Sequence, residues 1–232
     1  SEVSNKMKLL NTTQYIGVRE EAFENDGVNP SETNAPDLVL WDRDRYTDWQ
    51  EVLLGQTASI QHFNLSVSGG NNNTSFIMGG SYNNKGAVFP GAFGYEKITS
   101  NLSVNHRSKN RKFRITFSAN YGLDNNKLFV GTNYVNQALT LAPNAPALYQ
   151  EDGTLNWENG SCTNPMASLY QPQDVKSFSL LSNLHMSYEL LNGLSIKANL
   201  GYSDISSEET VKRMRESFNP NLWNTVILRS NH

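Results

Sequence analysis

Between Ser177 and Ser203 apolar and polar residues alternate in two runs. Phe178, Leu180, Leu184, Met186, Tyr188 and Leu190 share one parity, and Ser177, Ser179, Asn183, His185, Ser187 and Glu189 the other. Past Leu191-Asn192-Gly193, Leu194, Ile196, Ala198, Leu200 and Tyr202 alternate with Ser195, Lys197, Asn199, Gly201 and Ser203. A period of two sends such sets to opposite faces of a strand. Asn-Gly tolerates the positive φ of a type I′ turn, so the stretch predicts a long hairpin with one apolar and one polar face.

The same pattern recurs upstream. Phe63, Leu65 and Val67 alternate with His62, Asn64, Ser66 and Ser68, Gly69 to Asn73 turns the chain, and Thr74 to Asn83 returns with Phe76, Met78, Gly80 and Tyr82 on one face. A loop from Asn84 to Gly94 leads to a strand bearing Ile98, Leu102 and Val104. Beyond the turn Arg107 to Arg111 comes the most regular strand, Phe113, Ile115, Phe117, Ala119 and Tyr121 against Lys112, Arg114, Thr116, Ser118 and Asn120. Before these strands, Asn11-Thr12-Thr13 opens a capped helix that ends near Asn25-Asp26-Gly27. Between Asp124 and Lys176 lies a long excursion with a short helix around Asn133 to Leu141, broken up by prolines. Past Ser203 the alternation fades into the charged stretch Glu208 to Glu216, and Val226-Ile227-Leu228 starts something further. The chain thus divides into a helix and loop segment over 1–57, strands over 58–123, a long loop over 124–176, a hairpin over 177–205 and the start of another loop over 206–232.

What covers the apolar faces decides the fold class. Connections alternate between short (69–73, 107–111, 191–193) and long (84–94, 124–176 and after 203), as in outer-membrane barrels with short periplasmic turns and long extracellular loops. The opposite faces are polar over whole strands, as befits an aqueous lumen, and Tyr82, Phe113, Tyr121, Tyr188 and Tyr202 suit interfacial girdles. The expectation is an all-β, antiparallel up-and-down meander, a segment of a large transmembrane β-barrel with a short N-terminal helix and a long extracellular loop. The alternative is a soluble secreted β-sandwich that binds carbohydrate or mediates adhesion; a cytoplasmic enzyme ranks third.

Composition is compatible with the barrel. Mean hydropathy is −0.53. No window is apolar enough for a transmembrane helix, but barrel strands need only alternate residues apolar. A net charge of −3 with scattered Lys and Arg argues against nucleic acid. The single cysteine, Cys162, excludes an intrachain disulfide framework and reads as incidental. Gly69-Gly70 lacks the Lys-Ser/Thr of a phosphate loop, and Asp42-Arg43-Asp44 lacks the Gly and Glu of a calcium loop. His62, His106 and His185 have no ligand spacing, and Asn64 and Asn101 read as lumen residues rather than glycosylation sites. Neither metal, cofactor nor catalytic constellation is expected.

Asp48-Trp49-Gln50, Asn64-Leu65-Ser66-Val67-Ser68-Gly69-Gly70, Tyr82 with Gly86, Pro143, Pro146, Glu151-Asp152-Gly153-Thr154 and Asn164-Pro165-Met166-Ala167 follow one another in an order that resembles SusC/RagA-like TonB-linked outer-membrane transporters of Bacteroidetes. The resemblance runs from about Asn11 to Tyr202. It implies a bacterial outer-membrane location and import of glycan, oligosaccharide or peptide with a SusD-like surface lipoprotein as lid and membrane lipid around the barrel. Family members are longer, with a signal peptide, a plug, a TonB box and a barrel of about 22 strands. The chain therefore reads as a fragment from just after the plug, reaching TonB through a missing N-terminal region. Trp41, Tyr46, Tyr149 and Trp157 are the candidate ligand contacts, since flat aromatic platforms suit sugars.

Overall fold

The computed structural model describes residues 5–131 and 133–221, so the expectation for Val226-Ile227-Leu228 lies outside the described residues. Six strands form one antiparallel sheet in chain order: β1 (Ile60–Gly70), β2 (Thr74–Gly86), β3 (Gly94–Arg107), β4 (Phe113–Phe129), β5 (Pro172–Leu191) and β6 (Leu194–Val211). The helices are α1 (Thr12–Asp26), α2 (Pro36–Val39), α3 (Trp49–Leu54) and α4 (Tyr134–Thr140), with 3₁₀ turns at Glu158–Gly160, Pro165–Tyr170 and Arg215–Ser217.

Local chemistry explains the boundaries. Asn11 caps α1 by accepting from the Gln14 N–H (2.9 Å) while Gln14 reaches back to the Asn11 N–H (3.2 Å), and Gly27 ends the helix with φ 63°. At the β5–β6 turn only Gly193 has a positive φ (84°); Asn192 does not, and the register shifts between Glu189 and Leu191. The turn is therefore not the two-residue I′ type that Asn-Gly suggests, because a bulge absorbs the mismatch instead. Strands also outrun the alternation that reveals them: β4 continues to Phe129, β5 starts at Pro172 and β6 reaches Val211. In these extensions both faces are largely polar, so the period-two signal disappears while the hydrogen-bond ladder continues.

Cross-strand register keeps the two faces distinct over all six strands. One face carries Phe63, Leu65 and Val67 of β1, Phe76, Met78 and Tyr82 of β2, Ile98, Leu102 and Val104 of β3, and Phe113, Ile115, Phe117 and Leu123 of β4. It continues through Phe178, Leu184, Met186 and Tyr188 of β5 and Ile196, Leu200 and Tyr202 of β6. This apolar band slants against the hydrogen-bonded rows. Its centre on β1, Leu65, follows the rungs through Gly80, Ser100 and Tyr121 to Leu180, whereas its centre on β6, Ala198, lies opposite Met186. From Leu180 to Met186 the drift is about 20 Å, over five interstrand steps of ~4.8 Å, a slope of about 40°. Barrel strands tilt by roughly 35–45°, and a level membrane band must slant against the rungs by that angle. Along β4, Phe113 to Leu123 rises ~33 Å, which at this tilt gives a band about 25 Å tall, the height of a bilayer-facing girdle.

The opposite face is a ladder of polar pairs. His62 bonds Asn83, His185 bonds Asn199, Ser81 bonds Thr99 (2.6 Å), Thr116 donates to Asn105 (2.9 Å) and Ser177 bonds Ser207 (3.1 Å). His106 differs, lying on the apolar face against Thr74 (2.7 Å) at the band's edge. Ile77, Leu181 and Ile205 interrupt the polar face, and nothing in the structure explains them. Phe63 stacks on Tyr82 and Tyr121 meets Phe178 edge-on at the band's upper margin, and Tyr202 lies four residues from the band's centre on β6, Ala198, toward the same margin. No second sheet covers the apolar face among the described residues, so the sandwich alternative finds no support.

Candidate functional site: the rim at the long-connection end

The meander places residues 5–59, 87–93, 130–131, 133–171 and 212–221 at one end of the sheet, and the turns 71–73, 108–112 and 192–193 at the other. The buried core lies at the first end, not within the sheet. Leu53 and Leu54 of α3 pack on Tyr134 and Ala138 of α4 and on Leu155, Met166 and Ala167 of the long loop, with Phe89, Phe129 and Trp157 around them. Phe89, Phe129 and Tyr134 meet edge to face.

Polar bonds knit the N-terminal segment to the long loop. Trp49 Nε1 donates to the Ala142 carbonyl (2.8 Å), the Thr47 N–H to Pro143 (2.8 Å), Asn144 Nδ2 to the Asp37 carbonyl (2.8 Å) and Trp41 Nε1 to Ser161 Oγ (3.0 Å). Several of these are residues that carried the resemblance. Asp48 caps α3, Gln50 exchanges two bonds with Met7, Asp152 and Thr154 close a turn, and Asn164 caps the 3₁₀ turn while donating to the Leu148 and Asn156 carbonyls. The motif thus records how the rim is built rather than what it binds. Near α1, Arg19 grips the buried Asp37 carboxylate at 2.8 and 3.2 Å while Tyr15 donates to it at 3.0 Å. Burial acts to raise the Asp37 carboxyl, but the bonds from Arg19 and Tyr15 outweigh it and hold the group below its ordinary 3.8. Burial, then the Asp37 charge, pushes the Tyr15 phenol up to about 12.

A cleft of about 570 Å³ opens between the long loop and residues 212–221, lined among others by Gln150, Leu155, Trp157, Tyr170, Arg215 and Phe218. Of the sequence-chosen aromatics, Trp157 lines this cleft. Tyr149, 41% exposed, stands next to it through its bridge to Leu155. Trp41 is half-buried and bonded to Ser161, and Tyr46, 60% exposed, lies apart on the N-terminal segment. Sequence reasoning missed Tyr170, at the end of the long loop's 3₁₀ turn, and Arg215 and Phe218, which arrive only because β6 continues past the band and the chain folds back, with Met214 N–H donating to the Tyr170 carbonyl (3.1 Å). Cys162 lies half-buried nearby, its thiol raised to about 11 by burial and then by Glu158.

A sheet with a slanted, bilayer-high apolar band on one side and a polar ladder on the other is a stretch of outer-membrane β-barrel wall. No model of a protein family matches the sequence. It is 25% identical over 216 residues, 89% of this chain, to "TonB-dependent receptor P3" of Formosa agariphila, and it spans a fifth (20%) of that relative's length. Its fold matches solved structures of the RagAB peptide importer in the "closed-closed" state (TM-score 0.68, 17% identity) and of the RagAB peptide transporter (TM-score 0.67, 17% identity), each over 92% of this chain and 28% of the other. In sequence the chain is thus similar to a TonB-dependent receptor, and it shares its fold with part of the RagAB structures. The relatives are named as a receptor, an importer and a transporter, and none as an enzyme.

Proposed function

We propose that the chain supplies wall strands and rim to a TonB-dependent importer that takes up oligosaccharides, glycans or peptides, with a SusD-like surface lipoprotein over the rim and TonB engaged through a region outside this chain. The slanted apolar band carries the reading, because only a tilted, lipid-facing wall calls for that slope. The relatives' names supply the transport class. In this reading the long-connection end is extracellular, and the cleft beneath Trp157 is where ligand meets the rim, with Tyr149, Trp41 and Tyr46 as outlying contacts. A flat indole beside Gln150, Arg215 and Tyr170 can stack on a sugar ring or a peptide side chain and hydrogen-bond its polar groups. The test is uptake of labelled oligosaccharides and peptides by the native host with and without the protein. Loss of uptake of one class is expected, and unchanged uptake of both overturns the proposal. Trp157→Ala in the whole protein should leave assembly in the membrane intact while weakening ligand binding by about tenfold.

A further inference from the structure

The short-turn end of the polar face is strongly cationic. Residues 97–123 contain no Asp or Glu, whereas Arg107, Lys109, Arg111, Lys112 and Arg114 crowd the β3–β4 turn. Arg107 and Arg114 are direct cross-strand partners on the polar face. Like charges so placed repel and weaken a sheet. Among the described residues neither guanidinium takes part in an ion pair. Glu189, two residues along β5 from Arg114's partner Ser187, is the nearest acid in the register.

The pair borders a cavity of about 270 Å³ whose lining includes Asn72, Ser75, Asn105 and Thr116 and no acid. The turn beside it is fixed: Asn71 accepts from the Asn73 and Thr74 N–H groups (2.9 Å each), and Asn73 Nδ2 donates to the Arg107 carbonyl (2.8 Å). The Thr116 hydroxyl donates to the Asn105 side-chain oxygen, which leaves the Asn105 NH₂ as a donor. Two guanidiniums across one rung, with an amide and a hydroxyl beside them and nothing anionic between, form a donor set for an anion with several oxygens.

We infer that Arg107 and Arg114 clamp an oxyanion of phosphate or carboxylate type at the short-turn mouth of the polar face. Each guanidinium meets the anion with paired N–H donors, and the anion cancels the repulsion between them. The site lies at the opposite end of the sheet from the rim cleft and does not depend on what that cleft binds. Calorimetric titration of the protein in detergent micelles with inorganic phosphate, and separately with acetate, at constant ionic strength in chloride tests it. Saturable binding of either is expected; phosphate alone marks a phosphate site and acetate alone a carboxylate site. Arg107→Gln should weaken binding by about tenfold or more, the loss of one charge-assisted pair. Arg114→Glu provides the anion internally, so it should abolish binding while raising the unfolding midpoint, which keeps the test decisive if Arg107→Gln fails to fold. No binding above the chloride background, or equal affinity in both variants and the parent, overturns the inference.

Discussion

At the residue scale, the rim is held by a few buried polar contacts whose loss has a defined sign. Asp37 accepts from Arg19 and Tyr15 while its carboxyl is held below 3.8, so its contribution is complete above about pH 4 and is lost as pH falls through the lowered value. Asp37→Asn should loosen α1 by about 1–3 kcal/mol, nearer the low end because the Arg19 side chain is 34% exposed. Protection of the α1 amides, taken relative to their intrinsic exchange rate at each pH, should therefore fall as pH drops below about 4 in the parent protein and show no such step in the variant; identical profiles would rule the latch out. Cys162 makes a second case. With its thiol raised from 9.0 to about 11, the thiolate fraction near neutral pH drops, and alkylation should run about a hundredfold slower than for an unperturbed cysteine. A rate equal to that of free cysteine would contradict the burial described here.

At the element scale, Phe117 and Thr116 are chain neighbours on opposite faces of β4, with Phe117 at the middle of the band between its cross-strand partners Val104 and Leu184. Phe117→Arg should cost about 2–4 kcal/mol and Thr116→Arg much less. The folded fraction of the whole protein in membranes measures this, and equal tolerance would refute the facing. The strands themselves were legible because lipid and water stamp alternate residues, and α1 because Asn11 and Gly27 punctuate it. Extensions beyond the band, such as Asn125 to Phe129, carry no such stamp, and α3 escaped notice because Leu53 and Leu54 answer to α4 and the loop, partners distant in sequence. Trp157 could be chosen as a large polar-tipped aromatic in a loop. Phe218 and Arg215 could not, since only the path of the chain after Val211 brings them to the cleft.

On the scale of the whole molecule, the sheet is open among the described residues, with β1 and β6 at its edges and an apolar band uncovered by any of them. Unpaired edges and exposed apolar surface favour association. The isolated 232-residue chain should scatter light as aggregates or oligomers in water and become monodisperse in detergent; a soluble monomer that unfolds cooperatively would sink the barrel-wall reading. The slant of the band also sets a helical pitch. A drift of about six residues over five interstrand steps means that any cylinder continued from these strands has a shear number exceeding its strand number by about a fifth. At constant pitch, each added strand widens the bore while the length of strand needed to cross the bilayer stays the same.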